Sequence, residues 1–241
     1  MRLLSKLFAA TLLTIALAAC GGPDDSPPGP LARHFDDIFI ADVGMDQKAQ
    51  MLQAQNDWTL ARAEQSKAEA DFRAIESQIA NVKNERSAAQ LQIDSALNDK
   101  KTAEASRDNN QINDATRKLR AAEMGKKASE ARLKYFEAYR GYLKQHFRYT
   151  QENMYWREAQ FELAKSTLAQ KNGKSPRDVQ YDWFPKQEQE RKSRAESTKG
   201  KVDGEKSRAK SARDGWLSAQ ATADKESGRT SALSDPMANA Q

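Results

Sequence analysis

The chain has 241 residues, 30% of them charged, with 39 basic against 34 acidic side chains and one cysteine. A single thiol excludes an internal disulfide framework and a cysteine-rich metal site, and two histidines give little to build a histidine cluster from. No proline occurs between Gly44 and Pro176, so that stretch is free to form very long helices.

Residues 1–19 open with Arg2 and Lys6, continue as an apolar run from Leu7 to Ala19 and end in small residues. This is the layout of a secretory signal, with an apolar stretch too short to favour a membrane span. The segment Leu17-Ala18-Ala19-Cys20 resembles the lipobox of bacterial lipoproteins. That resemblance implies cleavage before Cys20, diacylglycerol on its thiol and acylation of the new N-terminus, a multi-chain anchor that holds firmly. Gly21 stands where an Asp retains lipoproteins at the inner membrane in the enteric sorting pattern, which points to the outer membrane. Loss of Arg2 and Lys6 from the 39 basic residues leaves 37 against 34 acidic, a net charge of +3. That balance does not call for a polyanion, and export argues against a nucleic-acid partner.

Residues 20–44 read as a lipid-anchored linker. Gly21 to Pro30, GGPDDSPPGP, forms a flexible, partly extended spacer. Leu31, Phe35, Ile38 and Phe39 then fall at helical spacing. This short amphipathic segment fits covering the end of a bundle better than contact with a membrane.

From Met51 a seven-residue repeat begins, with Met51, Trp58, Phe72, Ile79 and Ile93 at a, and mostly alanine at d from Ala54 to Ala103. Alternating steps of three and four over seven heptads point to a coiled coil. A second series, from Ile112 to Leu168, is out of phase with the first by two residues, which matches neither usual coiled-coil interruption. The chain is therefore expected to reverse at Asp108, Asn109 and Asn110, which are turn formers. The spacing predicts helices over about 46–107 and 111–171, equal in length and paired antiparallel so that partner numbers sum to 219: Trp58 faces Phe161, and Phe72 faces Phe147.

The second helix carries another stripe at c: Tyr135, Tyr142, Tyr149 and Trp156. An exposed ladder of rings is a liability in water, so a third helix, about 186–226, is expected to cover it after the stop at Asn172 to Pro176. Folded back from residue 171, it reaches about residue 131 and leaves a thinner two-helix tip over about 88–131. Within VQYDWFP, Tyr181, Trp183 and Phe184 can form a membrane-interface loop or plug the end of the bundle; the plug is the stronger reading. The tail from 228 to 241 reads as disordered.

The fold class is thus all-α: a long antiparallel coiled-coil hairpin with a third helix along its base, spanning 45–227. No paired carboxylates, phosphate loop, nucleophile triad or metal-ligand cluster stands out, so neither an enzyme nor a cofactor is expected. Two functions fit. One is an envelope spacer, lipid-anchored at one end and meeting peptidoglycan noncovalently, or another envelope protein, at the other. The alternative is an accessory subunit of an export or motility complex that docks through Asp108, Asn109, Asn110 and Gln111, or a surface-exposed lipoprotein. Oligomeric state is left open by Arg86, Lys100, Lys126 and Arg140 at a positions, which loosen the core.

Overall fold

The computed structural model describes residues 27–174 and 176–238; the signal segment, Cys20 and the start of the spacer lie outside them. The chain is all-α, with α1 Ala49–Ser106, α2 Asn109–Lys171 and α3 Trp183–Ser227. At 1.5 Å per residue these helices are about 87, 95 and 68 Å long. Two short 3-10 turns, Asp37–Ile40 and Met45–Lys48, precede α1.

The hairpin has the expected register. Trp58 stacks on Phe161 with ring centroids 5.8 Å apart, and Phe72 stacks on Phe147 at 6.3 Å. The same register sets Ile79 opposite Arg140, Arg86 opposite Leu133, Ile93 opposite Lys126 and Lys100 opposite Leu119. Each of these layers pairs one aliphatic side chain with one long cation. Arg86 and Arg140 are exposed, and Lys100 and Lys126 are half-buried; the heads of Arg140, Lys100 and Lys126 lie 3.6, 3.8 and 3.7 Å from Glu76, Glu104 and Glu130. On the d side the core is closed. Ile75, Val82, Ala89, Ala96 and Ala103 are buried, as are Ala115, Phe136 and Leu143 across from them.

The reversal is tighter than the sequence leads one to expect. Arg107 takes the left-handed conformation, with φ 58°, and the side chain of Asp108 accepts from the backbone N–H groups of Asn110 and Gln111 as the N-cap of α2. Two residues make the turn, and Asn109 and Asn110 lie inside α2. Three turn formers in a row hide which one caps: a carboxylate that satisfies two orphan N–H groups starts the helix immediately after itself.

α1 and α3 both pack along α2, which is therefore the central helix. Its a and d positions face α1, and its c positions face α3. Tyr135 stacks on Trp216 at 5.4 Å and 8°, and the heptad phase then sets Ala209 opposite Tyr142, Val202 opposite Tyr149 and Ala195 opposite Trp156. Small residues of α3 thus receive the rings of α2, and Ala195, Val202, Ala209, Trp216 and Ala223 are all buried. α3 is longer than expected because Trp183 and Phe184 are already helical. Pro185 falls in the first turn, where its missing N–H is not needed. Arg120 of α2 bonds Glu226 at 2.8 Å, so α3 covers α2 well past residue 131. By register the thin tip is confined to about residues 96–123 rather than 88–131.

Candidate functional site

The base of the rod is closed by the segment expected to be a spacer and a short helix. Residues 27–36 run extended along the α2–α3 seam and are held largely through their backbone. Arg191 donates to the carbonyls of Gly29 and Pro30 at 3.1 and 3.0 Å. The side-chain amide of Gln187 accepts from Arg33 N and donates to Arg33 O, both at 3.0 Å. Glu162 accepts from Phe35 N at 2.6 Å, and Lys165 donates to Phe35 O at 2.9 Å. Glu162 and Lys165 are 2.8 Å apart and buried. Pro28, Leu31 and Phe35 are buried, so residues 27–36, expected to belong to the spacer and to a short helix, form a packed strap instead. Side-chain periodicity could not reveal the strap, because prolines offer carbonyls that a clamp can read without any helical pattern.

Tyr181, Trp183 and Phe184 do not form an exposed loop: Trp183 and Phe184 open α3, Phe184 is buried, and Tyr181 and Trp183 are half-buried. Phe184 is 2% exposed and meets Phe35 edge-on at 5.7 Å. Tyr181 packs on Phe35 and donates to the carbonyl of Lys174, and Trp183 lies under the guanidinium of Arg33 at 4.1 Å. Phe184 and Tyr181, with Phe35, plug the end of the bundle together with Ile40, Val43, Leu168 and Ala169. Burial within a closed apolar cluster stabilises them more than the partly wet environment of a headgroup layer.

Along the seam, the ring stripe is covered as expected: Tyr135 is fully buried, Tyr142, Tyr149 and Trp156 are half-buried, and Trp156 Nε1 donates to Glu188 at 2.6 Å. The tail also contributes here, contrary to its disordered composition. The Tyr135 hydroxyl donates to Asp235 at 2.7 Å, Arg213 also bonds Asp235, and the N–H of Met237 donates to the Tyr135 oxygen at 3.1 Å. Met237 joins the core cluster. Asp235-Pro236 makes the turn that lets a single methionine reach the core. Burial pushes the Tyr135 hydroxyl well above its usual range, helped by Asp235. Burial also raises Asp235, but the bonds from Tyr135 and Arg213 outweigh it and leave this carboxyl below its ordinary value.

The g positions of α2 lie between its two packed faces. Tyr139 is pushed up to about 12, first by burial and then by Tyr142, Asp71 and Asp235. His146 is half-buried, and burial lowers it from 6.5 against the opposing pull of Asp71 and Glu64. Below pH 6.5 the unfolded chain therefore binds a proton at this histidine that the folded chain resists. Stability is expected to fall as pH drops through that value, and His146→Gln is expected to flatten the drop in a pH series of urea melts. A series unchanged by the substitution contradicts this assignment.

Further toward the tip, Gly125 occupies the g position and leaves an open groove of ≈ 620 Å³ between α1, α2 and the end of α3. Its lining is mixed, with Gln92, Lys118, Gln220 and Arg229 over a floor of alanines. At the tip itself Ser106 bonds Gln111 at 3.1 Å. Asp108→Ala is expected to cost about 1 kcal/mol by removing the cap, read as a lowered urea midpoint. A change below a few tenths means the turn is held by other contacts.

Among the described residues no group of three or more His, Cys, Asp or Glu side chains could hold a metal ion, and no helix is long and apolar enough to cross a membrane. Cys20 lies outside the described residues. The clamp of Gln187, Arg191, Glu162 and Lys165 went unnoticed in the sequence; the one available signal was Arg191, an arginine standing in the buried series of α3. No protein-family model matches the chain, and no curated protein and no solved structure matches it.

Proposed function

We propose that this protein is a non-enzymatic lipoprotein of the bacterial cell envelope, anchored through Cys20 in the outer membrane and facing the periplasm, where its rod acts as a spacer or scaffold. The observation that carries this reading is the polarity of the rod. The strap fastens the chain leading to Cys20 at the base, while the reversal at Arg107 and Asp108 lies at the opposite end of helices about 90 Å long. A tether at one end and a turn at the other is what holding a partner at fixed height requires. The partner at the tip is a noncovalent contact, with peptidoglycan or with an envelope protein.

The test is a change of length that leaves the α3 interface intact. Removing residues 99–105 together with 113–119 takes one heptad from each strand of the tip, keeps the heptad phase and shortens the rod by about 10 Å. A spacer is expected to lose function or change membrane-to-wall distance, while Asn109→Ala, Asn110→Ala and Gln111→Ala are tolerated. The reverse pattern, tolerance of the shorter rod and loss with the tip substitutions, replaces spacing with docking as the function.

A further inference from the structure

The base cap of 3-10 turns buries Phe35, Ile40 and Val43 inward, yet it leaves Ile38 69% and Met45 67% exposed. These are large apolar side chains on an end that is otherwise well closed, so their exposure is not the by-product of an open core. Hydrophobic side chains scattered singly over a surface call for no explanation. Two on the turns at one end of a rod are different when the chain itself limits what that end can meet.

The tether sets that limit. Seven residues separate Cys20 from Pro28 and span at most about 29 Å. Pro28 is buried beside the carbonyls held by Arg191, and Arg191 lies eight residues into α3 from Trp183, or about 12 Å up the flank. The strap runs down α3 from Arg191 to Phe184, so the anchor leaves the side of the rod rather than its end. With the rod upright, the base is held within about 20 Å of the lipid surface, and the tip lies far beyond the reach of the tether. We propose that the base cap rests on the bilayer that carries the anchor, with Ile38 and Met45 inserted among the headgroups as a second, apolar foothold. This contact rests on the anchoring of Cys20 proposed above.

The foothold is apolar, not electrostatic. Over residues 33–48 and 171–186 there are six basic and six acidic side chains, so the end carries no net charge to favour anionic lipid. Contact is therefore indifferent to headgroup charge and to salt, unlike that of a polybasic segment.

Cys20 is the only thiol in the chain, and in the lipidated protein it is blocked. Ile38→Cys, Met45→Cys and Asn109→Cys each introduce one site for a nitroxide label. The lipidated full chain, reconstituted into vesicles of phosphatidylcholine with or without phosphatidylglycerol, is then probed with oxygen and with a water-soluble nickel chelate. Labels at 38 and 45 are expected to relax more with oxygen than with nickel in both vesicle types, and the label at 109 the reverse. Vesicle-bound protein whose labels at 38 and 45 are as accessible to nickel as the label at 109 overturns the foothold and leaves the anchor standing. A membrane-expressed chain whose mass carries no acyl groups overturns the anchor and the foothold together.

Discussion

Trp216→Ala is expected to lower the unfolding free energy by about 3–5 kcal/mol, the range for deleting a large aromatic side chain from a packed core. Trp216 is 2% exposed, stacks on Tyr135 and lies under the guanidinium of Arg132 at 5.8 Å. The side chains of α3 aligned with it are mostly small, with alanine at 195, 209 and 223, so this residue carries much of the apolar area that binds α3 to α2. Its loss also undermines the seat of Met237 in the same cluster. Urea unfolding followed by circular dichroism reads the change. A loss under about 1 kcal/mol means that the site collapses around the missing ring and that α3 is held mainly by its polar contacts.

Glu162→Ala is the second large effect. Its removal leaves Lys165, 5% exposed, beside Asp37 as its remaining ion-pair partner and strands the N–H of Phe35. Breaking a buried ion pair from one side costs about 3–5 kcal/mol. The damage is expected at the base first, so Arg33 in the released strap becomes a rapid trypsin site while the helices persist. Glu162→Gln keeps an acceptor for Phe35 and is expected to lose less. Equal trypsin resistance in the wild type and Glu162→Ala shows that the strap is held without Glu162, by Arg191, Gln187 and the aromatic plug.

The hairpin was legible because its information is periodic. A coiled coil repeats its chemistry every seven residues, and two out-of-phase series with the rings of Trp58 and Phe161 at matched distances from the break fix both topology and register. The stripe from Tyr135 to Trp156 announced the third helix for the same reason. What periodicity does not encode was misread. Proline at 28 and 30 signals a spacer by composition, yet its neighbouring carbonyls are what Arg191 grips. Asp235 and Met237 stand in a low-complexity tail, where one carboxylate and one thioether suffice to fasten it. Asp108 belongs to the turn as its chemistry suggests, but Asn109 and Asn110 do not, because only the capped geometry says on which side of Asp108 the helix begins.

The layers that set one aliphatic residue against one long cation have a consequence for sliding. Shift α1 against α2 by a heptad in one direction and Arg86 meets Arg140 while Lys100 meets Lys126; shift it in the other and Arg86 meets Lys126. Each slip confronts like charges that the native alignment keeps apart. The hairpin therefore behaves as a ratchet with a single permitted tooth, and load applied along its axis is resisted by electrostatic veto as well as by packing.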